Sequence, residues 1–385
     1  MNKGVIALAF GGLAIGMTEF NMMGLLMDVA QDIGISIPKA SNLIGLYALG
    51  VVVGAPTLVI ATAKMPPKKV LFYLMLMFFL FNGLFSMAPN EWSLYLSRFV
   101  SGLPHGAFFG VGSVVAAKLA KPGKEARAIS IMFTGMTIAN LAGIPIGTYI
   151  GQHFSWRITY GVISCLGLFT AASIFFWLPE IEKPSVNIRK QMNYFARKEA
   201  WLIIAVIAIG TGGLFAWISY IGPLVTKVSG IQADRVPIIM FLVGLGMFIG
   251  NLIGGKLADT VIPTKAAMIS FIAMAFCLVI GYFVSPIEWM AYPMAFLTGA
   301  VSFTIGASLQ MMLINSADGS EMIAASAGQG AFNIGNTLGA YFGAIPIGLG
   351  FAFNTPMLVG AGLATSGSIL AFIYLINYRV RQIRK

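Results

Sequence analysis

Charged residues are scarce in this chain. They make up 10% of its 385 residues, whereas 58% of the residues are hydrophobic. Soluble domains carry about 25% charged residues, and a fold of this size has too little interior to hide so much apolar sequence. The composition therefore excludes an ordinary soluble globular protein.

Cysteine and histidine are equally rare, with two residues of each. Cys165 and Cys277 both lie in apolar runs, where cysteine acts as a small hydrophobic residue, so the sequence indicates neither a disulfide framework nor a metal site. A nucleophile–base pair, a zinc-binding cluster and a phosphate-binding loop are also missing from the sequence. We therefore expect that the protein is not an enzyme and that it holds no metal or organic cofactor.

Long apolar runs separated by short polar breaks dominate the chain. A membrane-spanning helix needs about 20 predominantly apolar residues, and a chain in lipid must satisfy its own backbone hydrogen bonds. The alternation typical of barrel strands is missing. The sequence predicts an all-α membrane protein with twelve transmembrane helices in two six-helix bundles. The predicted spans are 4–30, 39–61, 70–88, 92–118, 127–150, 158–178, 200–225, 235–257, 266–285, 289–313, 323–349 and 356–377.

The net charge of +11 is explained by membrane topology. When the N-terminus is placed in the cytoplasm and twelve spans are threaded, 19 of the 24 Lys and Arg residues fall on the cytoplasmic side. Only Lys39, Arg157, Lys227 and Arg235 fall outside, which is the positive-inside distribution. The pattern predicts that both termini are cytoplasmic, and it argues against a nucleic-acid partner.

The two halves of the chain resemble each other. The polar stretch 179–199 is predicted to be a cytoplasmic linker between an N-terminal bundle, 1–178, and a C-terminal bundle, 200–385. Six-helix repeats in the same order are typical of transporters with a substrate site near the midplane between the halves. Residues recur in the second half at offsets of 197 and 196 positions: Pro89, Glu91, Trp92, Tyr95, Phe99 and Gly102 as Pro286, Glu288, Trp289, Tyr292, Phe296 and Gly299, and Asn140, Gly143 and Gly147 as Asn336, Gly339 and Gly343.

Small residues recur at every fourth position in the fifth and eleventh spans. Such stripes let helices approach closely, so we expect either a contact between the halves that opens during transport or static packing. Pro145 predicts a local break in the fifth helix. The stripes are Gly135, Ala139, Gly143, Gly147 and Gly151, and Ala327, Ala331, Gly335, Gly339 and Gly343.

Three ionisable residues of the N-terminal half, Glu19, Arg98 and His105, are singled out by their position inside predicted spans. Glu19 is the acid well inside a span, and intramembrane acids usually face a wet cavity or a partner. Arg98 and His105 share one face of the fourth helix, and only the imidazole titrates near neutrality. We predict that Glu19 binds the coupling proton, that His105 relays or senses it and that Arg98 sets the local field.

Neutral polar and aromatic groups prevail in the C-terminal half instead. Amides can bind sugars or neutral drugs without a counter-ion, and aromatic rings supply apolar walls. Met23, near Glu19, fits an adaptable surface. The remaining predicted substrate residues of the C-terminal half are Gln329, Asn333, Asn336, Phe215, Trp217 and Tyr220. Phe108 and Phe109, in the fourth span of the N-terminal half, complete the predicted set.

Several segments resemble the motifs of the major facilitator superfamily, and within it the drug:proton antiporters of the sugar-efflux (arabinose-efflux-like) type. The segment 255–259 (GKLAD), ending in Asp259, is similar to the signature of a cytoplasmic loop, and 98–106 (RFVSGLPHG) to the fourth-helix motif. The segment 143–147 (GIPIG) resembles the antiporter motif of the fifth helix, and 18–20 (TEF) the acidic motif of the first helix. The resemblance implies the two-bundle fold, proton coupling at Arg98 and transport in the efflux direction.

The predicted function is proton-coupled efflux of a small neutral or amphipathic molecule, a drug or a sugar, by alternating access. The alternatives are uptake of a sugar or peptide by proton symport or uniport, and a membrane sensor. The proton is the coupling ion, and the expected partners are the small-molecule substrate and the lipid bilayer. We expect a monomer in a bacterial inner (plasma) membrane.

Overall fold

The computed structural model describes residues 3–62, 64–121, 125–181, 193–317 and 320–383. Within these ranges all regular secondary structure is helical, and strands are not found there. The intramolecular contacts separate the chain into two units, which meet in sequence at Ser185 and Val186.

The described residues of the N-terminal unit form eight α-helices. The fifth predicted span is formed by α6 and α7, which are joined by a π-helical turn at Ala139–Gly143. The helices are α1 (Lys3–Gly24), α2 (Leu26–Ile33), α3 (Ile37–Thr62), α4 (Pro67–Ser86), α5 (Glu91–Leu119), α6 (Glu125–Ile138), α7 (Ile144–His153) and α8 (Trp156–Trp177).

The C-terminal unit has a similar order of elements. A π-helical turn at Leu224–Val228 and 3-10 turns at Asn193–Ala196, Ala233–Arg235 and Glu288–Met290 supplement its α-helices. These are α9 (Lys198–Ile218), α10 (Ile221–Pro223), α11 (Val236–Thr260), α12 (Pro263–Val284), α13 (Ala291–Phe303), α14 (Ile305–Ser316), α15 (Glu321–Gly348) and α16 (Thr355–Ile383).

Eleven segments among the described residues are long and apolar enough to cross a membrane. Each corresponds to a predicted span, and α15 occupies the remaining one, 323–349. The first span is shorter than predicted. It ends at Gly24 because Leu25 leaves the helical conformation, with φ −106° and ψ 9°, and the chain restarts as the short helix α2.

The same helix pairs pack together in each unit. In the N-terminal unit α1 packs on α6, α3 on α5, and α4 on α8, and in the C-terminal unit α9 packs on α15, α11 on α13, and α12 on α16. These are the pairs of spans 1 and 5, 2 and 4, and 3 and 6 in both repeats. The internal repeat seen in the sequence is therefore a repeat of packing as well.

Glycines set the close approach of α3 to α5. A Cβ placed on Gly50 would lie 2.1 Å from the carbonyl oxygen of Phe99, and one on Gly54 would lie 2.1 Å from that of Leu103. Larger residues at these positions would hold the helices apart. The repeat equivalent of Gly50, Gly250, makes the same kind of contact with Ala300 in α13.

Exposed aromatic residues mark one end of each unit. Trp92, at the start of α5, is 79% exposed, and its repeat equivalent Trp289 is 69% exposed. Tryptophan at the end of a spanning helix is typical of the membrane–water interface, where an amphipathic ring contacts both lipid and water. The two tryptophans thus identify the ends of the spans that the charge distribution assigns to the outside.

Candidate functional site

Arg98 is fully buried in the interior of the N-terminal unit. Its Nε donates to the carbonyl oxygen of Leu43 at 3.2 Å. Nη1 donates to the hydroxyl oxygen of Thr18, and Nη2 donates to the carbonyl oxygen of Thr18, each at 3.2 Å. These bonds tie the fourth span to the first and second. They also hold the guanidinium against the backbone of the residue that precedes Glu19.

Aromatic rings surround the same guanidinium. Its Cζ lies 4.3 Å from the ring centroid of Tyr47, 5.4 Å from that of Phe85 and 5.5 Å from that of Tyr160. A cation that faces aromatic rings in a desolvated site gains about 2 kcal/mol or more. The site therefore compensates the buried charge with π-faces as well as with oxygen acceptors.

Thr18 extends this network to the third span. Its hydroxyl donates to Oδ1 of Asn82 at 2.6 Å, and Nδ2 of Asn82 donates to the carbonyl oxygen of Phe78 at 2.9 Å. The Thr18 hydroxyl thus accepts from Arg98 and donates to Asn82. These hydrogen bonds join the first, third and fourth spans and fix the position of Arg98.

Glu19, as predicted, is inside the bundle, with 2% of its surface exposed. It follows Thr18 on α1 and lies close enough to Tyr47 for an electrostatic interaction, as Arg98 does. The structure therefore groups two of the predicted coupling residues, Glu19 and Arg98, around one tyrosine.

His105 is 1% exposed, and its Nδ1 lies 3.1 Å from the hydroxyl of Tyr47. Its Nε2 has no hydrogen-bond partner among the described residues. Which nitrogen carries the proton depends on the tautomer, because the tyrosine hydroxyl can donate or accept. Either way, one nitrogen of the imidazole is available for a proton or a ligand.

The aromatic residues predicted in the fourth span pack within the N-terminal unit. Phe108 lies against Gly11 of α1, where a Cβ would meet its ring. Phe109 stacks on Phe133 with a centroid distance of 4.9 Å and lies 5.4 Å from the ring of His105. Phe109 is thus beside a predicted coupling residue, whereas Phe108 fills a helix contact. Met23 is also fully buried on α1.

The glycine stripe of the fifth span contacts the first span of its own half. A Cβ on Gly135 would lie 1.9 Å from the carbonyl oxygen of Ala9, one on Gly143 2.7 Å from Met17, and one on Gly147 2.2 Å from Oδ1 of Asn21. These glycine faces therefore pack within one half, which agrees with static packing, the second of the two predicted alternatives. At Gly135 and Gly147 the nearest atoms are oxygens of α1, and such close approach allows weak C–H···O bonds between helices.

The stripe of the eleventh span behaves in the same way in the C-terminal unit. A Cβ on Gly335 would lie 2.2 Å from Oγ1 of Thr211, and one on Gly339 would lie 2.6 Å from the carbonyl oxygen of Gly212. A Cβ on Gly343 would meet the ring of Tyr220. These glycines also pack on the first span of their own half, which again agrees with static packing.

The break predicted at Pro145 is present as the π-helical turn that ends at Gly143. Proline has no N–H, and its ring clashes with the carbonyl of the residue four positions earlier. The helix widens before Pro145, which then stands in the first turn of α7.

Buried amides lie on α15, as predicted. Asn333 and Asn336 are fully buried, and Nδ2 of Asn333 donates to the carbonyl oxygen of Gln329 at 3.0 Å. Oδ1 of Asn333 and both amide atoms of Asn336 have no hydrogen-bond partner among the described residues. Such groups cost free energy unless a ligand or water satisfies them.

The aromatic residues predicted in the seventh span have separate environments. Phe215 packs edge-on against Phe332, with 5.0 Å between centroids. Trp217 lines a narrow pocket in the C-terminal unit together with Met290, Met294 and Met357. Tyr220 donates its hydroxyl hydrogen to the carbonyl oxygen of Ala340. The structure therefore does not bring these three rings together.

The predicted site residue Asp259 lies at the end of α11, and its side chain lies outside the described part of the structure. Sequence reasoning also missed Tyr47, which contacts both Arg98 and His105. A polar aromatic residue in the apolar second span was the available signal, but its partners lie 51 and 58 positions further along the chain.

Comparison with known proteins agrees with this architecture. A family model described as Major Facilitator Superfamily matches residues 8–344. "Putative transporter AraJ" of Escherichia coli K12 is 38% identical over 375 residues, 97% of this chain and 95% of that protein. "Probable sugar efflux transporter" of Helicobacter pylori is 28% identical and covers 90% of both chains.

Solved structures show the same fold at lower identity. The crystal structure of a D-xylose-proton symporter superposes with a TM-score of 0.76 at 13% identity and covers 97% of both chains. The family match, the relatives of nearly full length and the repeated six-span units lead to one conclusion. The chain is an integral membrane protein that belongs to the Major Facilitator Superfamily of transporters.

Proposed function

We propose that this transporter is a proton-coupled exporter of a small neutral, hydroxyl-bearing molecule of the sugar type, working by alternating access between its two repeated halves. An amphipathic drug is the alternative substrate. We also propose that both termini lie in the cytoplasm, that the chain acts as a monomer and that it is located in a bacterial inner membrane. The last point is supported by "Inner membrane transport protein YdhP" of Escherichia coli K12, which is 35% identical over 97% of this chain.

The observation that carries the proposed coupling is the burial of Glu19 beside the Arg98 network. An ionised carboxylate within a membrane span costs several kcal/mol unless it is compensated. Arg98 cannot release its proton, so it offers a constant positive charge to which the protonation of Glu19 can respond. Reversible protonation of this carboxylate therefore changes the net charge in the interior of the N-terminal unit.

The proposed substrate class is supported by the amides of α15 and by the relatives. The partnerless atoms of Asn333 and Asn336 are uncharged donors and acceptors, which suit hydroxyl groups rather than ions. The relative in Helicobacter pylori is named as a sugar efflux transporter, and this name supports the proposed direction of transport.

The test is the sign of proton movement in proteoliposomes. Vesicles that hold the full-length protein, L-arabinose and a pH-sensitive dye are diluted into sugar-free buffer, with potassium and valinomycin to clamp the membrane potential. Antiport requires the interior to acidify as the sugar leaves, whatever the orientation of the protein. An interior that becomes alkaline would indicate symport, sugar loss without a pH change would indicate uniport, and either result contradicts the proposal. A sensor would produce no flux at all.

A further inference from the structure

Asn140 lies in the π-helical turn of the fifth span, between α6 and α7. Its side chain is 5% exposed, and its Oδ1 has no hydrogen-bond partner among the described residues. A buried amide oxygen without a partner costs free energy, and the few such groups in native structures call for an explanation.

The turn places Asn140 at the depth of the coupling residues. A Cβ on Gly16 would lie 2.7 Å from Cβ of Ala139, and one on Gly143 would lie 2.7 Å from Met17. Both neighbours of the turn are therefore on α1 within one helical turn of Glu19. π-helical turns occur frequently at functional sites, because they interrupt the regular hydrogen-bond ladder.

The internal repeat supplies an independent observation. Asn336 is the equivalent of Asn140 at an offset of 196 positions, and its amide is also buried and without a partner. His105 and its equivalent Ser302 form a second such pair, since Nε2 of the histidine and Oγ of the serine both lack partners among the described residues. Each half thus has buried polar atoms without hydrogen-bond partners at these corresponding positions.

We infer that Asn140 is a substrate-binding residue of the N-terminal half, whose Oδ1 accepts a hydrogen bond from a hydroxyl group of the transported molecule. Asn336 has the corresponding role in the C-terminal half. A hydroxyl group suits an amide oxygen of this kind, because a hydroxyl group can donate as well as accept. The inference rests on the proposed function and extends it by naming a binding group that is not on α15.

The experiment measures binding of L-arabinose, and of analogues that each lack one hydroxyl group, to the full-length protein in nanodiscs. Asn140→Ala removes the acceptor, and Asn140→Leu removes it while keeping a side chain of similar size at this position. We expect both variants to bind L-arabinose about five- to tenfold more weakly, as for one lost hydrogen bond. The analogue that lacks the hydroxyl group bound by Asn140 should bind equally to the variants and to the unchanged protein.

The control is Asn90→Ala. Asn90 caps α5 at its exposed start, where Oδ1 accepts from the backbone N–H of Ser93 at 3.0 Å. The variant loses an amide and its hydrogen bonds but should keep the affinity for L-arabinose.

If the protein without a substitution binds L-arabinose and Asn140→Leu binds it with the same affinity, the inference is overturned and the proposed function still stands. That result would mean that Asn140 holds water only. The inference would also be overturned if the Asn140 variants bound every analogue more weakly by the same factor. The effect of the substitution would then not depend on a particular hydroxyl group of the sugar. If the unchanged protein binds none of the sugars, the proposed substrate class fails and the inference fails with it.

Discussion

The hydroxyl of Tyr47 lies 3.1 Å from Nδ1 of His105. The ring of the same tyrosine faces the guanidinium of Arg98 at 4.3 Å. One side chain therefore contacts the fixed charge of the N-terminal unit with its ring and a titratable imidazole with its hydroxyl. A change in the protonation of His105 alters the hydrogen bond of Tyr47 directly.

Tyr47→Phe should shift or flatten the pH profile of transport while leaving the affinity at a favourable pH nearly unchanged. The substitution removes the hydrogen bond to His105 but keeps the ring beside Arg98. Tyr160→Phe is the matched control, since Tyr160 also faces Arg98 and its hydroxyl has no partner among the described residues. Identical pH profiles for Tyr47→Phe and the unchanged protein would remove the hydroxyl from the mechanism.

Glu19→Gln should abolish concentrative transport and leave substrate exchange partly intact. The amide keeps the shape of the carboxyl group but cannot bind and release a proton. The measurement is sugar flux in proteoliposomes with and without an imposed pH gradient. If the variant still accumulates substrate in response to the gradient, the coupling proton binds elsewhere.

Substitutions on α15 and α5 should separate substrate affinity from proton coupling. Asn333→Ala and Asn336→Ala should weaken substrate binding about fivefold each, as for one hydrogen bond, and leave the pH optimum in place because an amide does not titrate. His105→Ala should do the reverse, because imidazole changes charge near neutrality. Substrate affinity and transport rate need to be measured at several pH values, because the substrate site and the proton site of one protein are reciprocally coupled. A shifted optimum in the Asn variants, with only affinity changed in His105→Ala, would contradict these roles.

Gly339→Ala should destabilise the protein more than Gly143→Ala. At Gly339 the added methyl group meets the backbone of α9, 2.6 Å from both the nitrogen of Ala216 and the oxygen of Gly212, whereas at Gly143 it meets the flexible side chain of Met17. Overpacking of this kind costs about 1–3 kcal/mol when the neighbours cannot move. Thermal unfolding in detergent measures the difference.

The control for these two variants is Gly330→Ala, on the same helix as Gly339. A Cβ at Gly330 has no other atom within 4 Å, so this variant should unfold at the temperature of the unchanged protein or slightly above it. Equal stability of all three variants would show that the helices can separate at little cost.

Composition and segment length were enough to predict the membrane architecture. Partition of a segment into lipid depends on its own composition and length, and an exposed backbone in lipid is forced into helix. Both properties are local, so twelve spans and the repeated halves could be predicted. The burial of Glu19, Arg98 and His105 followed from the same reasoning, because each lies inside a predicted span.

The faces of the helices that meet could not be predicted from the sequence and are seen only in the folded protein. The glycine stripe of the fifth span predicts a close contact but does not specify its partner, and the structure shows that Gly135, Gly143 and Gly147 pack on α1 of the same half. Tyr47 could not be recognised for a related reason: its role depends on Arg98 and His105, which reach it through the packing of α3 on α5. Packing of this kind depends on side-chain shapes from distant parts of the chain, which no single segment encodes.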